Sequence, residues 1–138
     1  MGNSAISDKK LVFVSRIPIR WGDMDAMGHV NNTVYFRYLE QARIDWYAHI
    51  GQKERAGADT VVVHCYCSFY APLVFPGEVE IRTYAGNPGR SSFEIVHEIR
   101  RTDNPDVVCA VGGARAVWID RKTGKSAPLP DSMRALMT

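Results

Sequence analysis

One long helical pattern stands in a chain whose other long patterns all predict strands, and this contrast constrains the fold most. Apolar residues recur at steps of three and four over residues 33–50, at Tyr35, Leu39, Ala42, Trp46 and Ile50. This spacing predicts an amphipathic helix with one buried face, and Gly51 is a suitable residue for its end. A single helix cannot cover both faces of a sheet, so we expect a homodimer or homotetramer.

Five strand patterns accompany the helix, at residues 11–21, 60–71, 78–85, 92–101 and 107–119. Alternation places Ile17, Ile19 and Trp21 on one face of the first strand, and Pro18 predicts an edge or a bulge there. The second pattern is apolar almost throughout, which predicts a strand covered on both faces. The last pattern has unusually small residues at positions 112–114, and these allow the helix to approach closely.

Composition limits the classes of function. With 138 residues the chain predicts one domain, residues 1–138. A net charge of +2 gives no support for binding nucleic acid or an anionic membrane. No signal peptide or membrane span is recognisable, so we expect a cytoplasmic protein. The three cysteines are predicted to be free thiols, since no second Cys/His pair at zinc spacing follows Cys65 and Cys67.

The segment between the first strand and the helix, residues 20–32, concentrates polar side chains. It holds two carboxylates, two glycines, a histidine and two asparagines. Loops that join regular elements often carry function. Asn31 or Asn32 can accept a hydrogen bond from an unpaired amide at the helix start, so either is a candidate N-cap.

The loop sequence resembles that of a known enzyme family. Residues 23–32 read Asp-Met-Asp-Ala-Met-Gly-His-Val-Asn-Asn and lead into Tyr35 and Glu40 of the helix. This run resembles the hotdog-fold acyl-CoA thioesterases of the 4-hydroxybenzoyl-CoA thioesterase type. It is most similar to the long-chain acyl-CoA thioesterase branch, whose loop reads Asp-x-Asp-x-x-Gly-His-Val-Asn-Asn. Residues 69–73 and 89–93 extend the resemblance.

The resemblance implies an α+β hotdog fold, in which a five-stranded antiparallel sheet wraps around one long central helix. It implies that two subunits pair edge to edge and share active sites at their interface. The activity it implies is hydrolysis of a fatty or aromatic acyl-CoA to the free acid and CoA, without a metal or organic cofactor.

Four loop residues receive catalytic assignments from the resemblance. Asp25 matches the catalytic carboxylate, as a nucleophile or general base. The backbone N–H of Asn32 matches the group that polarises the thioester carbonyl. Gly28 either brings backbone close to the substrate or forms a plain turn. His29 contacts the thioester, orients Asp25, or only forms hydrogen bonds with backbone groups of the loop. Asp23 is expected to brace the loop.

Substrate binding is assigned to Asn31, Tyr35, Arg90, Ser91 and Ser92. Arg90, Ser91 and Ser92 match the position that contacts the CoA phosphates, to which an arginine and free amides are suited. Tyr35 belongs to an aromatic helix face that either lines an acyl tunnel or packs in the core.

Other helix and strand residues receive no catalytic role. Glu40 is expected in solvent, in an ion pair with Arg43, or near a neighbouring active site. His64 and His97 are expected to be core histidines.

Alternative interpretations of the loop differ in strength. A calcium loop would need oxygen ligands where Met27 and Val34 stand, which excludes it. A hydratase of the same fold is disfavoured because Asp25 and His29 are four residues apart. A non-catalytic acyl-CoA-binding protein and an acyl-ACP thioesterase stay open.

Overall fold

The computed structural model describes residues 3–51 and 58–138. Its helices are α1 (Asn3–Ile6), α2 (Asn32–Ile50) and α3 (Asp131–Leu136), and its strands are β1 (Lys9–Ile19), β2 (Ala58–Phe69), β3 (Gly77–Gly86), β4 (Ser92–Arg101) and β5 (Asn104–Asp120). A 3₁₀ turn, Trp21–Asp23, follows β1. The long helix and all five strands are present, with ends that differ from the predicted ones by up to three residues.

The five strands form one antiparallel sheet in the order β1-β3-β4-β5-β2. Helix α2 packs against its inner face, with contacts to β1, β3 and β5. This arrangement confirms the α+β hotdog fold, in which the sheet wraps around one long helix. Strand β1 lies at one edge, as Pro18 predicted.

The core lies between α2 and the inner face of the sheet, in two clusters. Near the start of α2, Tyr38 and Leu39 pack with Ile81. Near its end, Trp46 and Phe93 meet edge to face, with ring centroids 6.2 Å apart. The predicted apolar stripe is therefore confirmed as the buried face of the helix from Tyr35 to Trp46, whereas Ile50 is only half-buried.

Small residues in the middle of β5 admit the helix, as predicted. A Cβ at Gly112 would collide with Cδ1 of Leu39 and would lie 3.0 Å from the backbone oxygen of Tyr66. Ala110 and Ala114 on the same strand are also buried. The helix can therefore lie closer to β5 than larger side chains would allow.

The end of α2 is marked by Gly51, whose φ is 88°. Its amide donates to the carbonyls of Tyr47 and Ala48, both at 3.2 Å. A residue without Cβ adopts this left-handed conformation readily. Within the described residues, no helix is both long and apolar enough to cross a membrane.

Strand β2 is not covered on both faces, contrary to the prediction. It lies at the edge of the sheet and pairs only with β5 in the single chain. Its large apolar side chains Val61, Val63, Tyr66 and Phe69 are exposed. Within this chain, the continuous apolar run therefore lacks the cover on both faces that it predicts.

Three side chains also lie in other surroundings than predicted. Trp21 is 74% exposed, because β1 ends at Ile19 and the 3₁₀ turn directs the chain away. His64 is exposed on β2 rather than in the core. Glu40 pairs with Arg37 at 3.3 Å, rather than with Arg43.

Candidate active site

Asp23 fixes the loop against the helix. Its Oδ2 accepts hydrogen bonds from the Tyr38 hydroxyl at 2.8 Å and from the Arg20 amide at 2.9 Å. The Asn31 amide donates to the Asp23 carbonyl at 3.0 Å. One buried residue thereby joins the end of β1, the first turns of α2 and the end of the loop.

The electrostatics around Asp23 favour its charged form. Burial alone would raise its pKa, but the Arg20 amide, the Tyr38 hydroxyl and the Arg20 charge together hold the pKa below its ordinary value. Burial, together with the Asp23 carboxylate, raises the pKa of Tyr38. These contacts occupy the Asp23 carboxylate and accord with the bracing role predicted for it.

Asp25 begins a tight turn that His29 completes. The Asp25 amide donates to the His29 carbonyl at 2.8 Å, and the Asp25 carbonyl accepts from the Gly28 amide at 3.1 Å. Oδ1 of Asp25 accepts from the Met27 amide at 2.9 Å. Oδ2 has no hydrogen-bond partner among the described residues. One oxygen thus holds the carboxylate in place while the other is available to a ligand.

Gly28 has a φ of 82°, in the left-handed region. A Cβ there would meet no atom within 4 Å. The backbone conformation of the turn, rather than crowding, therefore accounts for glycine at this position.

The start of α2 leaves one amide without an acceptor. Asn31 is the N-cap: its Oδ1 accepts from the Thr33 amide at 3.0 Å, and its carbonyl accepts from the Val34 amide at 2.9 Å. The Asn32 amide has no acceptor among residues 3–51 and 58–138. As the first residue of the helix, Asn32 presents an unsatisfied N–H with the partial positive charge of the helix terminus.

Asp25 and Asn32 line one cavity of about 340 Å³, which we call the loop cavity. Its remaining walls are His29, Val30, Tyr35, Phe69, Tyr70, Ala71 and Pro72. A carboxylate and a free amide that share a cavity can act on a carbonyl group placed between them. Asp25 and His29 are both exposed in the single chain.

Tyr35 is buried and contributes its hydroxyl to this region. The Leu73 amide donates to that hydroxyl at 3.3 Å, and the ring packs edge to face against Phe69 at 4.8 Å between centroids. Burial raises the pKa of Tyr35, so its hydroxyl keeps its proton at neutral pH. That proton can be donated to a ligand in the loop cavity.

Within one chain, the other residues assigned to substrate binding do not join this cavity. Asn31 uses its side chain as the N-cap. Ser92 pairs with Val117, whereas Phe69 of the cavity pairs with Ala110. Ala110 and Val117 are seven positions apart on β5, which corresponds to roughly 23 Å. Arg90, Ser91 and Ser92 therefore lie at the opposite end of the sheet from Asp25.

The wall formed by residues 69–72 was not assigned a role from the sequence. The segment carried a signal, because it belongs to the second stretch that resembles the thioesterases. It turns the chain after β2, and hydrogen bonds from the Tyr70 and Ala71 amides to the Cys109 carbonyl, at 2.8 and 3.0 Å, hold it beside β5.

The chain is similar in sequence and in structure to known proteins. The sequence matches the sequence model of the Thioesterase-like superfamily over residues 19–137. The PA2801 protein of Pseudomonas aeruginosa, provisionally named a thioesterase, is 39% identical with a TM-score of 0.84, and the match covers 91% of this chain and 98% of that chain.

Two further solved structures are similar over most of their length. XC229 of Xanthomonas campestris, provisionally named an acyl-CoA thioesterase, is 36% identical with a TM-score of 0.73, covering 85% of this chain and 100% of that chain. BH1999, a gentisyl-coenzyme A thioesterase, is 27% identical with a TM-score of 0.76, covering 88% and 99%.

Proposed function

The chain belongs to the thioesterase-like superfamily and is a thioester hydrolase, and we propose that it cleaves acyl-CoA thioesters to a free acid and CoA. The observation that carries the proposal is the loop cavity, which is lined by both Asp25, with its free carboxylate oxygen, and Asn32, with its unpaired amide. The activities named for XC229 and BH1999 support CoA as the carrier.

In the proposed reaction, Asp25 supplies the negatively charged oxygen. As a general base it takes a proton from water, whose oxygen attacks the carbonyl carbon. As a nucleophile it attacks that carbon itself, and water then hydrolyses the resulting anhydride. In both cases the C–S bond breaks with its electron pair on sulfur, and the thiolate receives a proton.

The Asn32 amide stabilises the charge that develops on the carbonyl oxygen. It has no competing acceptor among the described residues, and it lies at the positive end of α2. A fixed donor of this kind stabilises an oxyanion more than it stabilises the neutral carbonyl. Tyr35 is proposed as a second donor at the substrate, and Gly28 and His29 are proposed to shape the turn that presents Asp25.

We propose further that two copies pair through the exposed edge of β2. An antiparallel pair of β2 strands would place the Ser92 end of one sheet beside the Phe69 end of its partner. The partner's Arg90, Ser91 and Ser92 could then contact CoA phosphates at this chain's loop cavity. The exposed apolar side chains of β2 support this arrangement. The cytoplasmic location stays a prediction.

The test is thiol release from a panel of acyl-CoA thioesters of graded chain length, with wild type and Asp25→Asn. Loss of the carboxylate should lower kcat/KM by about 10³-fold, since positioned bases and nucleophiles contribute on this scale. Asp106→Asn changes another exposed aspartate and is the matched control, with turnover expected at the wild-type level.

Two results would contradict the proposal. Near-full turnover by Asp25→Asn would remove Asp25 from the chemistry. Tight binding of acyl-CoA without thiol release by wild type would favour a non-catalytic acyl-CoA-binding protein. The same acyl groups attached to acyl carrier protein test whether the substrate is a thioester of CoA or of acyl carrier protein.

A further inference from the structure

A second cavity, of about 180 Å³, lies between α2 and the inner face of the sheet. We call it the helix cavity. Phe36 and Leu39 contribute to its helix side, and Val62, His97 and Ala114 contribute to its sheet side. Glu40, Arg43 and Cys65 also line this cavity, but Glu40 and Cys65 are exposed and Arg43 is half-buried. His97 is therefore the buried polar side chain of the lining.

His97 reaches the cavity with one nitrogen unpaired. It is 1% exposed and projects from β4 toward the helix side of the sheet. Its Nδ1 lies 2.9 Å from the Thr83 hydroxyl oxygen. Its Nε2 is buried and has no hydrogen-bond partner in the described part of the chain. Buried polar atoms are nearly always paired in folded proteins, so an unpaired one at a cavity indicates a partner that is supplied from elsewhere.

The imidazole is neutral at physiological pH. Burial, together with the nearby charge of Arg43, lowers the pKa of His97 to about 3. A neutral imidazole donates from one nitrogen and accepts at the other. The unpaired Nε2 therefore offers a single uncharged hydrogen bond, which suits a hydroxyl group better than an ion.

The helix cavity lies along the same helix as the loop cavity, about two turns further on. From Asn32 to Leu39 the helix rises about 10 Å. A six-carbon acyl chain with a terminal hydroxyl spans roughly 8 Å from carbonyl carbon to oxygen, and a hydrogen bond adds about 2.8 Å. A chain of this length that runs along the helix from the Asn32 amide would end level with Leu39, which lines the helix cavity together with His97.

We infer that the helix cavity receives the far end of the acyl group and that Nε2 of His97 hydrogen-bonds a terminal hydroxyl there. This inference rests on the proposed function, since it names the substrate class of that site: medium-length acyl thioesters that carry a hydroxyl at their end. A hydroxyl can both donate and accept, so it satisfies Nε2 in either tautomer. Phe36, Leu39 and Val62 enclose the carbon chain.

The kinetic test compares hexanoyl-CoA with 6-hydroxyhexanoyl-CoA, which differ only in the terminal oxygen. Wild type should prefer the hydroxylated thioester by about tenfold in kcat/KM, the scale of one well-placed hydrogen bond. In His97→Leu this ratio should fall to about one. His49→Leu removes an exposed histidine elsewhere on α2 and should keep the wild-type ratio.

A wild-type ratio near one would overturn the inference, as would a tenfold ratio that persists in His97→Leu. If His97→Leu fails to fold, Ala114→Val decides instead, because its added methyl groups enter the helix cavity. It should lower kcat/KM for hexanoyl-CoA about tenfold relative to acetyl-CoA. An unchanged ratio of the two thioesters would count against the inference.

A binding measurement separates this inference from the proposed function. The ¹⁵N resonance of His97 Nε2 is followed by NMR in wild type during titration with 6-hydroxyhexanoate and with hexanoate. We expect a shift with the hydroxy acid and little with hexanoate. No difference between the two acids would overturn the inference. If neither thioester is hydrolysed, the proposed function fails while this titration still decides the role of His97.

Discussion

The two edge strands of the sheet, β1 and β2, differ in how they meet solvent. Strand β1 carries Lys9, Lys10, Arg16 and Pro18. Charged side chains and proline at an edge discourage pairing with another strand. From residue 60 to residue 69, β2 has no Lys, Arg, Asp, Glu or Pro. Both edges expose backbone N–H and C=O groups that could pair with another strand. Only β1 carries the charged side chains and proline that discourage such pairing.

The difference between the two edges suggests why the residues of β2 are apolar. In the single chain the strand is an exposed edge, although its sequence has the pattern of a strand buried on both sides. Both observations are satisfied if a second copy covers this edge. The same pairing would complete the site, because Arg90, Ser91 and Ser92 lie at the far end of the sheet from Asp25.

The largest effect should come from a charge at the unprotected edge. In Val63→Lys the new ammonium group would face its own copy or an apolar partner surface, at a cost of several kcal/mol to association. We expect a monomer at micromolar concentration and a loss of thioesterase activity of at least about a hundredfold. Sedimentation velocity and thiol release measure the two consequences.

Val14→Lys places the same charge on β1, where the side chain is also exposed. It should leave the oligomeric state and the activity unchanged. If both variants behave alike, or if Val63→Lys stays dimeric and active, the two edges do not differ as described.

A smaller effect is expected at Gly112, which lies on β5 beside β2 and under the helix. In Gly112→Ala the new methyl group would collide with Leu39, so α2 or β5 must shift. Overpacking of this kind costs about 1–3 kcal/mol of unfolding free energy, measured by urea denaturation. Gly22→Ala is the control, because a Cβ there meets no atom within 4 Å. Equal stability of the two variants would contradict the close approach of helix and strand.

The last effect concerns pH and the interior between β4 and the helix. The pKa of His97 is lowered from 6.5 to about 3 by burial and by the charge of Arg43, so the unfolded chain binds a proton that the folded protein excludes. This contribution to stability is fully present above pH 6.5 and is lost progressively as the pH falls toward 3. His97→Leu should flatten the fall of melting temperature over this range, whereas His49→Leu should not. If the melting temperature of His97→Leu falls with pH as steeply as that of wild type, groups other than His97 control the pH dependence of stability.

Much of the fold was predictable because local patterns determine local structure. The stripe from Tyr35 to Ile50 predicted α2, and the five strand patterns predicted the strands to within three residues. Small residues on β5 predicted the approach of the helix, which the collision at Gly112 confirms. Trp21 was misplaced because the 3₁₀ turn that ends the alternation of β1 has no clear signal in the sequence.

The candidate site was predictable where one segment supplies it. Asp25 and Asn32 lie seven residues apart, so a single loop brings both to the loop cavity. His97 was set aside as a core histidine. Its burial agrees with that interpretation, but its unpaired Nε2 and the cavity beside it depend on α2, β4 and β5 together. The catalytic and binding roles of all these residues stay predictions.

The sequence by itself determined the elements, the position of the polar loop and the family, because short-range spacing and a continuous motif carry that information. Only the tertiary structure decided that β2 is an edge, that Trp21 and His64 face solvent, and that Arg90 is remote from Asp25. The physical reason is that these properties depend on which surfaces meet across long separations along the chain. A residue pattern records that a surface is apolar, but the fold decides whether a neighbour in the same chain covers it.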